Sequence, residues 1–184
     1  MTHVGTIKEA ITEKGYHVKK FHGDVLDLGA NIGISKLIIS KKQLSGKYFC
    51  VEPDPNNIRL LKKNFPDSII IKAAMSNKNG YVFFTKSQTG ITGHINKKGK
   101  LKVRTDTLNK IISKNKIKPK IVKIDIEGEE LSVIKSGQIF LKKYLPLIIV
   151  EIHNKEDYKK NFRILKKCGY KKSKEVGNNI WHFN

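Results

Sequence analysis

Residues 27–33 read Asp-Leu-Gly-Ala-Asn-Ile-Gly and stand between the apolar pair Val25-Leu26 and the amphipathic run from Ile34 to Leu44. A strand that ends in a glycine turn and feeds a helix brings backbone close to a ligand, because glycine supplies the φ angles and lacks the Cβ that would block the approach. Asp27, Gly29, Ala30, Asn31 and Gly33 are therefore candidates for holding a nucleotide-like cofactor, although a G-x-x-x-G turn also serves simple tight packing. The next strand-like run, Lys47 to Val51, ends in Glu52 followed by Pro53, with Glu52 23 positions after Gly29. A βαβ unit places an acidic side chain there to accept hydrogen bonds from both ribose hydroxyls.

Charge separates the two nucleoside cofactors that suit this layout. A dinucleotide brings a pyrophosphate, for which G-x-G-x-x-G opens a helix N-terminus towards the anion. This chain lacks that pattern, and a carboxylate at Asp27 would repel pyrophosphate while suiting the ammonium or sulfonium side of S-adenosylmethionine. The turn favours the methyl donor.

A second constellation lies in Ile-Val-Lys-Ile-Asp-Ile-Glu-Gly, residues 121–128. Strand alternation sends Lys123, Asp125 and Glu127 to one side and Val122, Ile124 and Ile126 to the other. Strands of a parallel sheet covered on both faces normally read as apolar runs, so three charges on one side need partners or a cleft. Two readings stand side by side: a ligand cleft at the carboxyl edge of the sheet, or an internal Lys123 ion pair with Glu127 capping the next helix. Glu151 and His153 end the following strand on one side near the same edge. With an unperturbed pKa near 6.5, His153 suits a base that takes a proton from a hydroxyl nucleophile. His94 is a second candidate base. Asp125, Glu127 and Glu151 are oxygen ligands of a kind that suits magnesium, but no metal site is assigned.

The elements that must position these residues alternate without repeats or a linker. Ile7 to Glu13 reads as a helix in an N-terminal extension over residues 1–22, and residues 23–184 read as one core. Strands are expected at Asp24 to Leu28, Lys47 to Val51, Ser68 to Ala73, Lys120 to Asp125 and Pro146 to His153. Helices are expected at Ile34 to Leu44, from Pro55 to Phe65 with Pro66 as its stop, at Asp106 to Lys114, at Glu129 to Tyr144 with a break at Gly137, and at Tyr158 to Cys168. Gly80 to Lys86 and Lys100 to Val103 read as short strands around a polar, mobile loop, Ser87 to Gly99, of the kind that closes active sites. Tyr170 to Val176 and Asn179 to Phe183 form a hairpin across Gly177-Asn178. The order predicts an α/β fold: a doubly wound, mostly parallel, seven-stranded sheet with an antiparallel C-terminal hairpin.

The chain has 184 residues, 39% hydrophobic and 29% charged, a composition that suits one globular domain with a sizeable core. No apolar run approaches the roughly 20 residues of a membrane span. The first residues lack the apolar core of a signal peptide, so a cytoplasmic location is expected. Cys50 and Cys168 are too few for a disulfide framework or a zinc site and read as reduced core residues. The net charge of +21 attracts nucleic acid and anionic membrane surfaces. Yet only Arg59, Arg104 and Arg163 among 37 basic residues are arginine, the side chain that clamps phosphate bidentately, so the charge reads mainly as a lysine-rich solvated surface.

Taken in order, DVLDLGANIG, VEPDP with LLKKN, AAMSNKNG, VRTDTL, IVKIDIEGEELSVIKSG and LIIVEIH resemble the FkbM family of S-adenosylmethionine-dependent methyltransferases from about Gly23 to His153. The resemblance implies a Rossmann-like class I methyltransferase and, usually, O-methylation of a hydroxyl on a small molecule or sugar. On that basis Asp27 and the turn from Gly29 to Gly33 should hold the methionine part, Glu52 the ribose, and Ala74, Met75 and Ser76 the adenine edge. Asp125, which also reaches the cofactor, Glu127 and His153 are the expected catalytic residues on the acceptor side. Two alternatives stay open: a ribose 2'-O RNA methyltransferase, motivated by the charge and by Lys123, Asp125 and Glu151, and a non-catalytic nucleoside-binding module.

Overall fold

Val25, Leu26 and Leu28 are fully buried, as a strand covered on both faces requires, and they form the centre of the molecule. The computed structural model describes residues 14–86, 93–95, 99–152, 155–177 and 179–184. The helix expected over Ile7 to Glu13 and residue His153 lie outside them. The main sheet has seven strands: β2 (Asp24–Leu28), β4 (Tyr48–Val51), β5 (Ile69–Ile71), β10 (Pro119–Ile124), β11 (Leu147–Glu151), β12 (Ser173–Gly177) and β13 (Ile180–Phe183). Their spatial order is β12-β13-β11-β10-β2-β4-β5. The pairs from β11 to β5 are parallel, whereas β13 runs antiparallel to both β11 and β12. The expected doubly wound sheet with its C-terminal hairpin is what forms.

Helices cover both faces: α1 (Ile34–Ile39), α2 (Pro55–Asn64), α3 (Leu108–Lys114), α4 (Glu130–Ser136), α5 (Gln138–Tyr144) and α6 (Lys155–Lys167). Two apolar clusters form against the sheet. One gathers Leu26, Val51, Leu108, Val133, Leu141 and Leu165, and the other gathers Val25, Ile38, Ile39, Leu61 and Ile121. Asp54 caps α2, its carboxylate accepting from the Asn56 N–H at 2.8 Å, and Pro55 opens the helix where its missing N–H costs nothing. Gly137 separates α4 from α5 as expected, because a Cβ there would run into the buried Leu108 side chain.

Several boundaries differ from the sequence reading, each for a tertiary reason. The helix expected to reach Leu44 stops at Ile39. A 3-10 turn follows, and then β3 (Gln43–Ser45) pairs with β1 (Phe21–His22), leaving Leu44 55% exposed. The Gln43 amide donates to the Gly23 carbonyl, which fixes this extended course. The extension before the core contains a 3-10 turn at Lys14–Tyr16 and strand β1 among its described residues.

β9 (Leu101–Asp106) runs further than Val103, so Thr107 rather than Asp106 caps α3. It joins β6 (Ala74–Met75), β7 (Gly80–Lys86) and β8 (Gly93–Ile95) in a second sheet of order β6-β9-β7-β8. Part of the stretch expected as a loop is thus a strand, and residues 87–92 and 96–98 lie outside the described residues. α6 begins earlier than Tyr158, at Lys155.

Candidate cofactor and acceptor site

Parallel strands end together, and the ends of β2, β4 and β10 make one edge where the turn after β2 sits. Gly29 and Ala30 donate their N–H groups to the Val51 carbonyl at 3.0 and 3.1 Å, and the Asn31 N–H donates to Glu52 Oε2 at 2.9 Å. Gly29 has φ +78, and a Cβ there would collide with the carbonyl oxygen of Asp125, so the approach of the turn to β10 requires glycine. Glu52 Oε1 accepts from the Asp54 N–H at 2.9 Å and from the Asn57 side-chain amide at 3.3 Å. Burial raises the Glu52 pKa, and these N–H donors oppose the rise.

One pocket opens along this edge. Gly29, Asn31, Glu52, Pro53, Ala74, Met75, Asp125 and Glu127, all singled out from the sequence, line it, and Asp54, Asn57, Phe84, Ile95 and Ile126 complete the wall. Asn57 carried a readable signal, one turn into a helix that follows Glu52. Phe84 and Ile95 come from the second sheet, whose approach no local pattern announces. Ala30 and Gly33 lie behind the pocket: Ala30 is buried in the core, and Gly33, at φ +96, packs against Phe65 and Leu61. Ser76 is held by a backbone hydrogen bond to Asp106 and does not reach the wall.

Asp27 also stands behind the wall, fully buried. Its carboxylate accepts hydrogen bonds from the Ser35 and Tyr48 hydroxyls, and Lys123 Nζ lies 3.2 Å from Oδ1. It therefore supports the turn through Lys123, which donates to the Gly29 carbonyl at 2.8 Å. Lys123 stands in register with Asp27 on the neighbouring strand and also lies 3.2 Å from Asp125 Oδ2. Burial alone would lower the Lys123 pKa, but the two carboxylates more than reverse this and keep the ammonium charged. The internal pairing of Lys123 and the ligand cleft thus coexist. Glu127 stands at φ +55 just before the next helix, and Glu130 of that helix accepts from the N–H groups of Ile126 at 3.2 Å and Gly128 at 3.1 Å.

Asp125 and Glu151 share a hydrogen bond. Burial pushes the Asp125 pKa up, but Lys123 and hydrogen bonds from Glu151, Lys123 and Tyr16 overcome it, so Asp125 stays ionised. The Tyr16 hydroxyl donates to Asp125 Oδ2 at 3.4 Å. Glu151 is pushed up to about 8 by burial first, and then by the charge of Asp125 and the hydrogen bond it donates to that group. Of the two carboxyls, Glu151 is the one whose proton is held more tightly. Among the described residues no group of three or more His, Cys, Asp or Glu is arranged to hold a metal ion. No described helix is long and apolar enough to cross a membrane. Cys50 and Cys168 are buried free thiols.

The wall offers a strand-end carboxylate at Glu52, the apolar Ala74 and Met75, and Asp125 beside the glycine turn, groups whose chemistry would suit S-adenosylmethionine. The family model of the methyltransferase FkbM domain matches residues 27–172. A hexuronic acid methyltransferase, AglP of Haloferax volcanii, is 31% identical over 150 residues, covering 77% of this chain and 61% of its own length. The chain thus spans about three fifths of that relative.

Among solved structures, a methyltransferase FkbM from Methylobacillus flagellatus superposes with a TM-score of 0.66 at 17% identity, over 91% of this chain and 45% of its own. Fibrillarin from Aeropyrum pernix, solved with S-adenosylmethionine bound, superposes with a TM-score of 0.51 at 14% identity, over 98% of this chain and 72% of its own. These two likenesses concern the fold. With most of its length matched by the family model and its glycine turn and strand-end carboxylates on one edge of the sheet, the chain belongs to the FkbM family of methyltransferases.

Proposed function

We propose that the protein is an S-adenosylmethionine-dependent O-methyltransferase whose acceptor is a hydroxyl on a small molecule or glycan. The observation that carries this reading is the single pocket in which Asn31, Glu52, Ala74 and Met75 meet Asp125 and Glu127. When bound, the cofactor supplies a methyl group on a sulfonium, already activated for in-line displacement, so holding the reactants in line can supply much of the acceleration. Glu52 would accept from the ribose hydroxyls, while Ala74 and Met75 would flank the adenine. Asp125, ionised and fixed by Lys123, would orient the methionine ammonium, and its outer face together with Glu127 would meet the acceptor. Glu151 in its deprotonated form, or His153 two residues further on, would receive the acceptor proton. The relative's action on a hexuronic acid favours a sugar acceptor.

An RNA acceptor is less well supported. Lys123, part of the set that motivated it, is buried and bound to Asp27, Asp125 and the Gly29 carbonyl, so it cannot reach a nucleic-acid hydroxyl. A purely nucleoside-binding module would leave the half-buried Asp125–Glu151 pair without a use. Incubation with methyl-labelled S-adenosylmethionine and separate pools of glycans, small metabolites and RNA tests the proposal. Label is expected in glycans or metabolites. Label in RNA alone, or in no pool, rejects it.

A further inference from the structure

Lysine and exposed apolar side chains that the pocket leaves unused collect at the opposite edge of the sheet. With β12, β11, β10, β2, β4 and β5 running the same way, strand starts and crossover-helix C-termini share that edge. Lys114 ends α3, Lys116 and Lys118 lie in the turn into β10, Lys142 and Lys143 end α5, and Lys171 precedes β12; all are exposed. The carboxyl edge carries more carboxylates, with Glu52, Asp125, Glu127 and Glu151 at strand ends and Glu156 and Asp157 beside Lys155 at the start of α6. Lysine in the last turn of a helix complements the helix dipole. That accounts for Lys114, Lys142 and Lys143 but not for Lys116, Lys118 or Lys171, which stand outside helices.

Nor does the dipole account for the apolar groups among them. Ile139 is 78% exposed, Leu145 50% and Tyr144 41%. Between α3 and α5 runs a cleft of about 430 Å³ whose floor includes Ile112, Ile117 and Phe140 and whose rim includes Lys116, Lys118 and Lys143. Leu145 packs towards Gly169, which joins this patch to the turn that carries Lys171.

We propose that this edge docks on the surface of an anionic lipid bilayer. Exposed Ile139 and Leu145 would enter the headgroup boundary, Tyr144 suits the interface, and the lysines would lay their stems along it while keeping their ammonium groups at the lipid phosphates. A nucleic-acid face would favour arginine, which clamps phosphate bidentately. No arginine stands in residues 115–118, 142–145 or 168–172. Docking this way turns the cofactor pocket, at the other end of the strands, towards water. The inference is independent of the acceptor, since it concerns the far edge and is read without turnover.

Flotation of the full chain with vesicles of phosphatidylcholine alone, and of phosphatidylcholine mixed with phosphatidylglycerol, tests it at physiological ionic strength. Binding is expected only to the mixed vesicles and should weaken as salt is added. Each lysine near an anionic surface contributes roughly fivefold, so the variant Lys116→Gln/Lys118→Gln/Lys143→Gln should lose affinity on the order of 100-fold. Ile139→Ser should lose about tenfold through the apolar contact. Both variants change exposed side chains, and unchanged circular dichroism and S-adenosylmethionine affinity would verify that they fold. Absence of binding to the mixed vesicles, or full binding by either variant, overturns the proposal. So does a short RNA duplex that binds more tightly than the vesicles and is released by the same lysine substitutions.

Discussion

In the proposed function Glu52 would combine two tasks, which a single carboxylate can perform only because its oxygens have spare lone pairs. Its two oxygens already accept from the Asn31 and Asp54 N–H groups, which ties the glycine turn to the start of α2, and they remain able to accept from ribose hydroxyls. Glu52→Gln forces an amide NH2 against one of those backbone donors. S-adenosylmethionine binding measured by calorimetry should weaken by about 2 kcal/mol, roughly thirtyfold in Kd. Unchanged affinity would remove Glu52 from the cofactor site.

The proton on Glu151 gives a second expectation. Its carboxyl sits at about 8 in the fold, against an ordinary value of about 4.3 in an unfolded chain. Between those values the folded protein holds a proton that the unfolded chain has released, so stability falls as pH rises across that window and levels off above it. Glu151→Gln keeps a donor towards Asp125 without the titration. Chemical denaturation at about pH 9 should find this variant more stable than wild type, by on the order of 1 kcal/mol, with little difference at about pH 4. Turnover distinguishes the two proton acceptors: a rise through about pH 8 that Glu151→Gln abolishes assigns the proton to the carboxyl pair. A rise centred near 6.5 that His153→Gln abolishes assigns it to His153.

At the scale of elements, α3 and the α4–α5 pair meet through Leu108, which is fully buried and whose N–H donates to the Ser136 hydroxyl oxygen at 3.2 Å. Gly137 allows this closeness. Gly137→Val should force Leu108 from its place and lower the stability by about 1–3 kcal/mol, read as a lower melting temperature, because overpacked cores shift rotamers or backbone. A melting temperature equal to that of wild type would mean that the break between the helices relaxes freely. The second sheet shows the opposite dependence. Its strands carry exposed Tyr81 and Phe83 on one side, yet Phe84 and Ile95 reach the pocket wall. That hairpin therefore joins the site by docking on it, whereas the glycine turn is built into the main sheet.

Carboxylates gather at the pocket edge of the sheet, while lysines are spread over the whole surface. At a net charge of +21, repulsion among lysines opposes the compact state. Its stability should therefore rise with ionic strength, the melting temperature increasing by about a few degrees between dilute buffer and moderate sodium chloride. A fall would mean that ion pairs such as Lys36–Asp67 at 2.9 Å and Lys110–Asp106 at 2.7 Å outweigh the repulsion. The sheet itself is indifferent to this balance, since Leu26, Val122 and Ile148 on its central strands are wholly excluded from water.

Local chemistry made much of this architecture legible in the chain. Apolar runs of strand length, a proline that opens α2, a glycine that divides α4 from α5 and the glycine turn after β2 each act within a few residues, so their spacing located the strands and helices of the main sheet, the pocket edge and Glu52. What lies across the sheet was decided only by tertiary structure. Asp27 looked like a ligand group, but β10 brings Lys123 into register beside it, and a buried carboxylate pairs with the nearest cation. Leu44 fitted a helical face, but pairing between β1 and β3 satisfied its backbone neighbours first and left the side chain outside. Phe84 and Ile95 gave no sign of the pocket, since they reach it through the pairing of β7 with β8 and β9. Glu151 carried no mark of its proton. Its neighbour Asp125 ends a different strand, and the closeness of two carboxylates is a property of the assembled sheet that no spacing along the chain encodes.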